Sequence, residues 1–277
     1  MSKRKLTAAH IEAYAAHLRK EGRAAATIEK YLHDVRAFSA WLKGGAADPE
    51  ATASWRSALL TEGLSAATVN VRLSALNGLL RFLGWDDCRV KFLKVQHKAF
   101  REAGRELTRA EYRRLLDHAD GGSSLLLETV CASGIRVSEL RCITVEAARA
   151  GQAEISLKGK IRTILLPGKL CRKLLKYAKK QKTASGAIFR GKDGKALSRF
   201  QVWKLMKTLA KKSGIDSKKV FPHNLRHLFA VTFYQATRDV VRLADVLGHS
   251  SVNTTRIYLL TTGAEHVRTI ERLGLLR

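Results

Sequence analysis

The run "FPHNLRHLFA" at residues 221–230 sets His223 and Arg226 three apart, just after a proline that suits the first turn of a helix. Side chains at that spacing stand on neighbouring positions of the first turn, where unpaired backbone N–H groups and the helix dipole favour an anion. Arg226 adds a rigid fork of donors that fits phosphate oxygens, so the segment reads as a phosphate seat. A second arginine, Arg136 in "SGIRVSEL" (residues 133–140), follows a tight turn permitted by Gly134 and emerges at a helix start. Two such arginines can clamp a phosphodiester from two sides and stabilise the charge that builds on its nonbridging oxygens. Glu139 is placed either to hold Arg136 or to cap the helix.

A clamped phosphate needs a nucleophile, and "LGHSSVNTTRIYLL" (residues 247–260) offers one. Leu247 and Gly248 read as a helix end, His249 as the turn, and 251–260 as a fresh helix that carries Tyr258. In isolation a tyrosine at helical spacing is a core aromatic. Beside a cationic phosphate seat a phenol, which ionises near pH ~10 and well below water, can attack as the phenolate and form a covalent phosphotyrosine. His223 and His227 share the i, i+4 spacing that binds zinc. Asn224 stands where an HExxH motif has its glutamate and no carboxylate ligand is near, so no metal site is assigned and His227 is read as a structural hydrogen-bonding residue.

The elements that must position these groups fall into two parts. Thr7 caps a first helix in which Ile11, Tyr14, Ala15 and Leu18 share a face; a second runs through Ile28, Leu32, Val35 and Phe38; a third lies near 48–61 and a fourth from Ser65 to Phe82. This predicts a four-helix domain over residues 1–86, a basic linker over 87–106 and a second domain over 107–277. The second opens with a capping box between Thr108 and Glu111. It continues with helices at 123–132 and from Val137, then changes period: "AEISLKGKIRTILLP" reads as two short strands joined near Lys158–Lys160 and closed by Pro167. Helices return at 168–181, 198–213, 223–235 and 239–247, and "TGAEHVRTIERLGLL" makes a last amphipathic one.

Composition narrows the partner. The 277 residues carry 51 Lys plus Arg against 24 Asp plus Glu, a formal net charge of +27 that calls for a dense polyanion, nucleic acid before membrane surface. Residues 155–182 alone hold ten Lys or Arg and no acid. Cys88, Cys131, Cys142 and Cys171 form no CxxC pair, which argues against a disulfide scaffold or a thiolate metal site and for a reduced, cytoplasmic setting. The N-terminus lacks an apolar h-region and no 18-residue apolar stretch follows, so neither secretion nor membrane association is expected.

Arg136, a lysine in the strand hairpin, His223 and Arg226 in "HNLRH", His249 in "LGHSSVNTT" and Tyr258 stand in the order of the six-residue signature of the tyrosine recombinases, the integrase and Xer group. The chain resembles that family over residues 107–277, and its first four helices are similar to the family's core-site-binding domain. The resemblance implies a mainly α protein of two domains, the second an α+β catalytic domain with a small antiparallel sheet. It also implies a site-specific recombinase that cleaves and rejoins DNA through a 3′-phosphotyrosyl intermediate, for integration, excision or resolution. By this resemblance Arg136 and Arg226 neutralise the transition state, Lys158 protonates the departing 5′-oxygen, His223 exchanges the tyrosine proton and His249 donates to a nonbridging oxygen. The family's "GKG" turn reads "LKGK" here, which leaves Lys160 as the alternative lysine.

One phosphodiester is traded for another, so no metal or nucleotide cofactor is expected, in keeping with a sequence that has no Walker motif and no clustered carboxylates. The implied partner is double-stranded DNA with paired recombination sites, bound by a homotetramer that assembles from monomers through the terminal helix, whose apolar face holds Val267, Ile270, Leu273 and Leu276. With Thr7 already starting the first helix, the arm-site-binding domain of phage integrases is not expected. A type IB topoisomerase and a noncatalytic DNA-binding protein are the competing readings. The sequence does not choose between a mobile-element integrase and a chromosome-dimer resolvase.

Overall fold

The computed structural model describes residues 4–95, 104–157, 160–258 and 271–273, leaving aside the side chains of 156, 157, 160 and 161. The chain divides into two units, Met1–His97 and Lys98–Arg277. Among the described residues no helix is long and apolar enough to cross a membrane.

Side-chain caps fix three of the four helix starts in the first unit. Thr7 accepts from the His10 N–H ahead of α1 (Ala8–Lys20), Asp48 from Ala51 ahead of α3 (Pro49–Thr61) and Ser65 from Thr68 ahead of α4 (Ala66–Phe82). Each such cap contributes about 1 kcal/mol by satisfying a donor the helix cannot use. The longest helix, α2 (Ala25–Leu42), has no side-chain cap and depends on packing. Its partner α4 is apolar on two sides and is therefore buried on both. Leu73, Leu76 and Leu80 join Phe38, Trp55 and Leu59, while Ala75 and Leu79 join Tyr14, Leu18 and Val35. Truncating Leu73 or Leu76, both fully buried, to alanine would cost roughly 2–5 kcal/mol.

The first unit extends beyond Phe82. A 3₁₀ helix at Asp86–Cys88 places Cys88 and then Val90 in the core. Two asparagines on α4 hold the chain that follows. Asn77 Nδ2 donates to the Val90 carbonyl at 2.9 Å and its Oδ1 accepts from the Val90 N–H at 3.0 Å; Asn70 makes the same pair with Leu93 at 2.9 and 2.8 Å. The segment expected to begin a linker at residue 87 is thus packed and hydrogen-bonded as far as Leu93, because Cys88 and Val90 complete the apolar cluster.

In the second unit α5 (Arg109–Asp117) begins with the capping box read from the sequence, Thr108 and Glu111 satisfying each other's backbone N–H. The core helix α6 (Gly121–Ser133) buries Leu126, Leu127 and Val130. The helix expected from Val137 is instead a 3₁₀ helix, Val137–Cys142, and a further short helix, α7 (Val145–Ala150), follows it from the Thr144 cap. Then β1 (Gln152–Leu157) and β2 (Lys160–Leu165) pair antiparallel, with Ala153 opposite Ile164 and Ile155 opposite Arg162. The period of two turns Ala153, Ile155 and Ile164 into the core.

Amphipathic α8 (Gly168–Lys180) buries Leu170, Cys171, Leu174 and Ala178 and keeps Lys169, Lys173, Lys176, Lys179 and Lys180 outside the core. After α9 (Arg199–Lys212), helix α10 (Pro222–Thr237) packs against α6. The chain continues through α11 (Val240–Leu247) and the short α12 (Val252–Thr255), which tightens into a 3₁₀ turn, Arg256–Tyr258. Lys158 lies outside the described residues, as do all positions of the expected terminal helix except Glu271–Leu273.

Candidate active site

Helix α10 begins at Pro222, and Asn224 pins its first turn by donating to the carbonyls of Lys219 at 2.8 Å and Arg105 at 2.9 Å. Arg226 then projects inward, only 3% exposed. Its Nη1 donates to the Gly134 carbonyl, and its Nη2 to the Leu247 carbonyl at 2.8 Å and to His249 Nε2 at 3.0 Å. Gly134 closes α6 and Leu247 ends α11, so the negative ends of two helix dipoles converge on the guanidinium. Burial draws the Arg226 pKa below its ordinary value, and a hydrogen bond with the Tyr258 hydroxyl opposes that shift.

The turn into Arg136 depends on Gly134, whose φ of 63° is left-handed and whose added Cβ would sit 2.4 Å from Phe229 Cδ1. Two residues on, Arg136 precedes the 3₁₀ helix and meets Glu139, a carboxylate 1% exposed. Glu139 Oε2 accepts from the Arg136 backbone N–H at 2.7 Å, and Oε1 from Arg136 Nη1 at 3.0 Å. Both functions considered for Glu139, holding the arginine and capping the helix, are therefore performed at once. It also accepts from Arg162 Nη2 at 2.7 Å, a contact that the sequence did not reveal.

His249 follows Gly248, another left-handed glycine at φ 63°. Arginine can only donate, so His249 Nε2 must accept from Arg226. The ring proton then resides on Nδ1, which donates to Thr255 Oγ1 at 2.9 Å. The imidazole pKa is pushed down to about 4, first by burial and then by the charges of Arg226, Arg136, Arg162 and His223, which keeps the ring neutral at neutral pH. Both ring nitrogens are thus engaged within the protein. In this arrangement the ring backs Arg226.

Tyr258 closes the group. In a 3₁₀ turn side chains three apart eclipse, which turns both Thr255 (0% exposed) and Tyr258 (3%) inward while Arg256 and Ile257 face out. A continuous α-helix from 251 to 260 would not align this pair in the same way. The Tyr258 ring stacks on His249 at 6.0 Å and 13°, and lies 5.3 Å from His227 and 6.1 Å from His223. Ala230, Leu243 and Leu247 pack with it. His227 Nδ1 sits 3.7 Å from Glu106 Oε2, a polar anchor beneath the site.

Arg136, His223, Arg226, His249 and Tyr258 line one cleft of about 700 Å3, together with Arg199, Trp203 and Lys207 from α9. Five of the six residues read from the sequence meet there. The sixth, Lys158, is not among the described residues, and neither is the side chain of its alternative, Lys160. Sequence reasoning passed over Arg162, Thr255 and the α9 wall. For the wall a signal existed, since Arg199, Trp203 and Lys207 recur every four residues and so share a helix face. The arrangement combines a concentrated positive charge with a tyrosine hydroxyl in the same cleft, a layout suited to attack on a phosphodiester.

Comparison with known proteins points the same way. Residues 105–264 match the Phage integrase family, and residues 11–87 match the Phage integrase, N-terminal SAM-like domain. The chain is 30% identical over 270 residues to Tyrosine recombinase XerA of Thermococcus kodakarensis, covering 93% of this chain and 92% of that protein. It is also 30% identical over 282 residues to Tyrosine recombinase XerC of Neisseria meningitidis, covering 91% and 90%. Among solved structures it aligns with a lambda integrase dimer bound to a COC′ core site at TM-score 0.72 and 18% identity, over 93% of this chain and 78% of that one. The XerH site-specific recombinase bound to palindromic difH substrate aligns at TM-score 0.68 and 22% identity, over 94% and 84%. At such identities these structures establish the shared fold.

Proposed function

Because the chain belongs to the phage integrase family of tyrosine recombinases, enzymes that cleave and rejoin DNA at specific sites, we propose that it does so with Tyr258 as the nucleophile. The Tyr258 oxygen attacks the scissile phosphate, forming a 3′-phosphotyrosyl link and releasing a 5′-hydroxyl. That hydroxyl, delivered to the partner duplex, attacks the equivalent link there and frees the tyrosine. One ester replaces another at each step, so bond energy is conserved and no nucleotide is consumed.

Each proposed residue has a role set by its chemistry. Arg136 and Arg226 offset the charge of the pentavalent transition state, as donors aimed at developing negative charge do. His223 takes and returns the tyrosine proton. Lys158, on its hairpin, protonates the departing 5′-oxygen, with Lys160 the alternative. His249 holds Arg226 in place. The substrate is double-stranded DNA carrying paired sites, and four copies act on it, assembled through the chain's last helix; the setting is the cytoplasm. The net charge of +27 supplies phosphate contacts, for which log affinity falls by about 0.9 per released counterion as log salt rises.

The observation that carries this reading is the convergence of Arg136, His223, Arg226, His249 and Tyr258, from four separate elements, on one cleft. The test is covalent trapping on nicked suicide duplexes cut from the DNA that flanks the gene. The protein should become attached to the 3′ end of the cleaved strand. Tyr258→Phe should abolish the adduct and leave duplex affinity nearly unchanged, and an adduct that persists in that variant would refute the assignment.

A further inference from the structure

Arg162 is a basic residue on the buried face of a hairpin, opposite Ile155 and two residues from Ile164, and its side chain is 16% exposed. A guanidinium in that position is costly unless anionic or carbonyl partners surround it. Arg162 Nη2 donates to Glu139 Oε2 at 2.7 Å, and Nη1 donates to the Leu247 carbonyl. Neither partner is private. Glu139 is the carboxylate that grips Arg136 through its backbone and its guanidinium, and the Leu247 carbonyl also accepts from Arg226.

The next residue, Gly248, approaches Arg162 so closely that an added Cβ would lie 2.4 Å from Arg162 Cδ. The arginine therefore lies directly against the backbone that leads into His249. Burial lowers the Arg162 pKa and the Glu139 charge counteracts it, the behaviour of a cation held by its neighbours. Arg162 is not among the residues that line the cleft, and among the described residues its side chain donates to Glu139 and Leu247, which also hold Arg136 and Arg226.

We propose, resting on the strand-transfer reading above, that Arg162 is a positioning residue that ties the hairpin, Arg136 and the His249 turn at a fixed separation across the cleft. It binds no substrate. It sets the distance between the two arms of the phosphate clamp through Glu139 on one side and the end of α11 on the other.

Two variants test it, Arg162→Met, which keeps length and loses every polar contact, and Arg162→Lys, whose ammonium lacks the rigid fork that reaches Glu139 with one nitrogen and Leu247 with the other. With the suicide duplex that traps the wild-type chain, both should bind within about threefold of wild-type affinity. The adduct rate should fall about a hundredfold in Arg162→Met and about tenfold in Arg162→Lys, the scale expected when catalytic groups shift by about an ångström. A folded variant that forms adduct within about threefold of the wild-type rate would overturn the proposal. So would a loss of affinity equal to the loss of rate, which would make Arg162 a DNA contact. Failure of both variants to fold would overturn it in favour of a residue that holds the fold alone.

A DNA-free measurement separates this from the recombinase reading. In 15N-histidine spectra the wild type should show His249 as a single Nδ1–H tautomer and Arg162→Met a mixture. An unchanged spectrum would refute the tie whatever the DNA chemistry, whereas absence of any wild-type adduct would refute only the reading on which it rests.

Discussion

Replacing Thr255 by valine isolates one hydrogen bond in the middle of the site. Thr255 is fully buried, and its Oγ1 accepts the only proton of the neutral His249 ring at 2.9 Å. Valine keeps the branched shape and removes the acceptor. The ring has no alternative: moving the proton to Nε2 would aim it at the Arg226 Nη2 donor 3.0 Å away, and a second proton is excluded at neutral pH by a pKa of about 4. The Nδ1–H is left without a partner, at a cost of about 1–3 kcal/mol for a buried donor. For a unit of this size each kcal/mol lowers Tm by about 2–4 °C, so the expected fall is roughly 2–12 °C. Differential scanning calorimetry of Thr255→Val beside Thr255→Ser, which retains the hydroxyl, measures it, and 15N spectra report the tautomer. Covalent trapping should slow as well, because Arg226 loses the ring behind it. An unchanged Tm with the Nδ1–H tautomer intact would refute the chain Arg226, His249, Thr255.

Two further outcomes follow from other contacts. The unfolded chain protonates a histidine near pH ~6.5 and folded His249 only at about 4, so the unfolded state binds the extra proton between those values and stability falls as pH drops through that window. Urea midpoints at pH 7 and pH 5 should drop more for wild type than for His249→Asn, and equal drops would contradict the environment assigned to the ring. In the first unit, Asn77→Ala strips both partners from the Val90 backbone and should cost about 2 kcal/mol or more. Hydrogen exchange at the Val90 amide should accelerate, and unaltered protection would show that Asn77 does not hold the segment.

What the sequence disclosed and what it hid divide along physical lines. Periodicity of 3.6 revealed α1 to α4 because their buried residues recur at helical spacing, on one stripe in α1 to α3 and on two sides of α4, and a period of two revealed the hairpin. Arg136, His223, Arg226, His249 and Tyr258 could be singled out because their side-chain chemistry is unusual for the positions they occupy. Four features stayed hidden. The hold of Asn70 and Asn77 on Val90 and Leu93 is a side-chain-to-backbone contact between segments, which leaves no trace in a hydropathy pattern. Helix α7 has only six residues, too few to establish a period. Arg162, one of ten Lys or Arg in residues 155–182, reads as a solvated charge; only the register opposite Ile155 turns it inward. The tightening at Arg256–Tyr258 was equally invisible, since an α-helix and a 3₁₀ turn share the same local residue preferences over so short a span.

The partners of the three arginines explain why the site suits an anion. Among the described residues Arg162 and Arg136 share one carboxylate, Glu139, so that pair of cations is only half neutralised. Among the described residues Arg226 meets no carboxylate at all; it is held by the carbonyls of Gly134 and Leu247 and by a neutral imidazole. Helix C-termini carry about half an elementary charge each, which is enough to keep the guanidinium oriented inside the protein but is not mobile and cannot be displaced. An aspartate in their place would pair with Arg226 more strongly and would repel the phosphate that the cleft must admit. Dipoles in place of charges leave a preorganised excess of positive charge facing the cleft, so the incoming phosphodiester completes the electrostatics of the site without first breaking an ion pair.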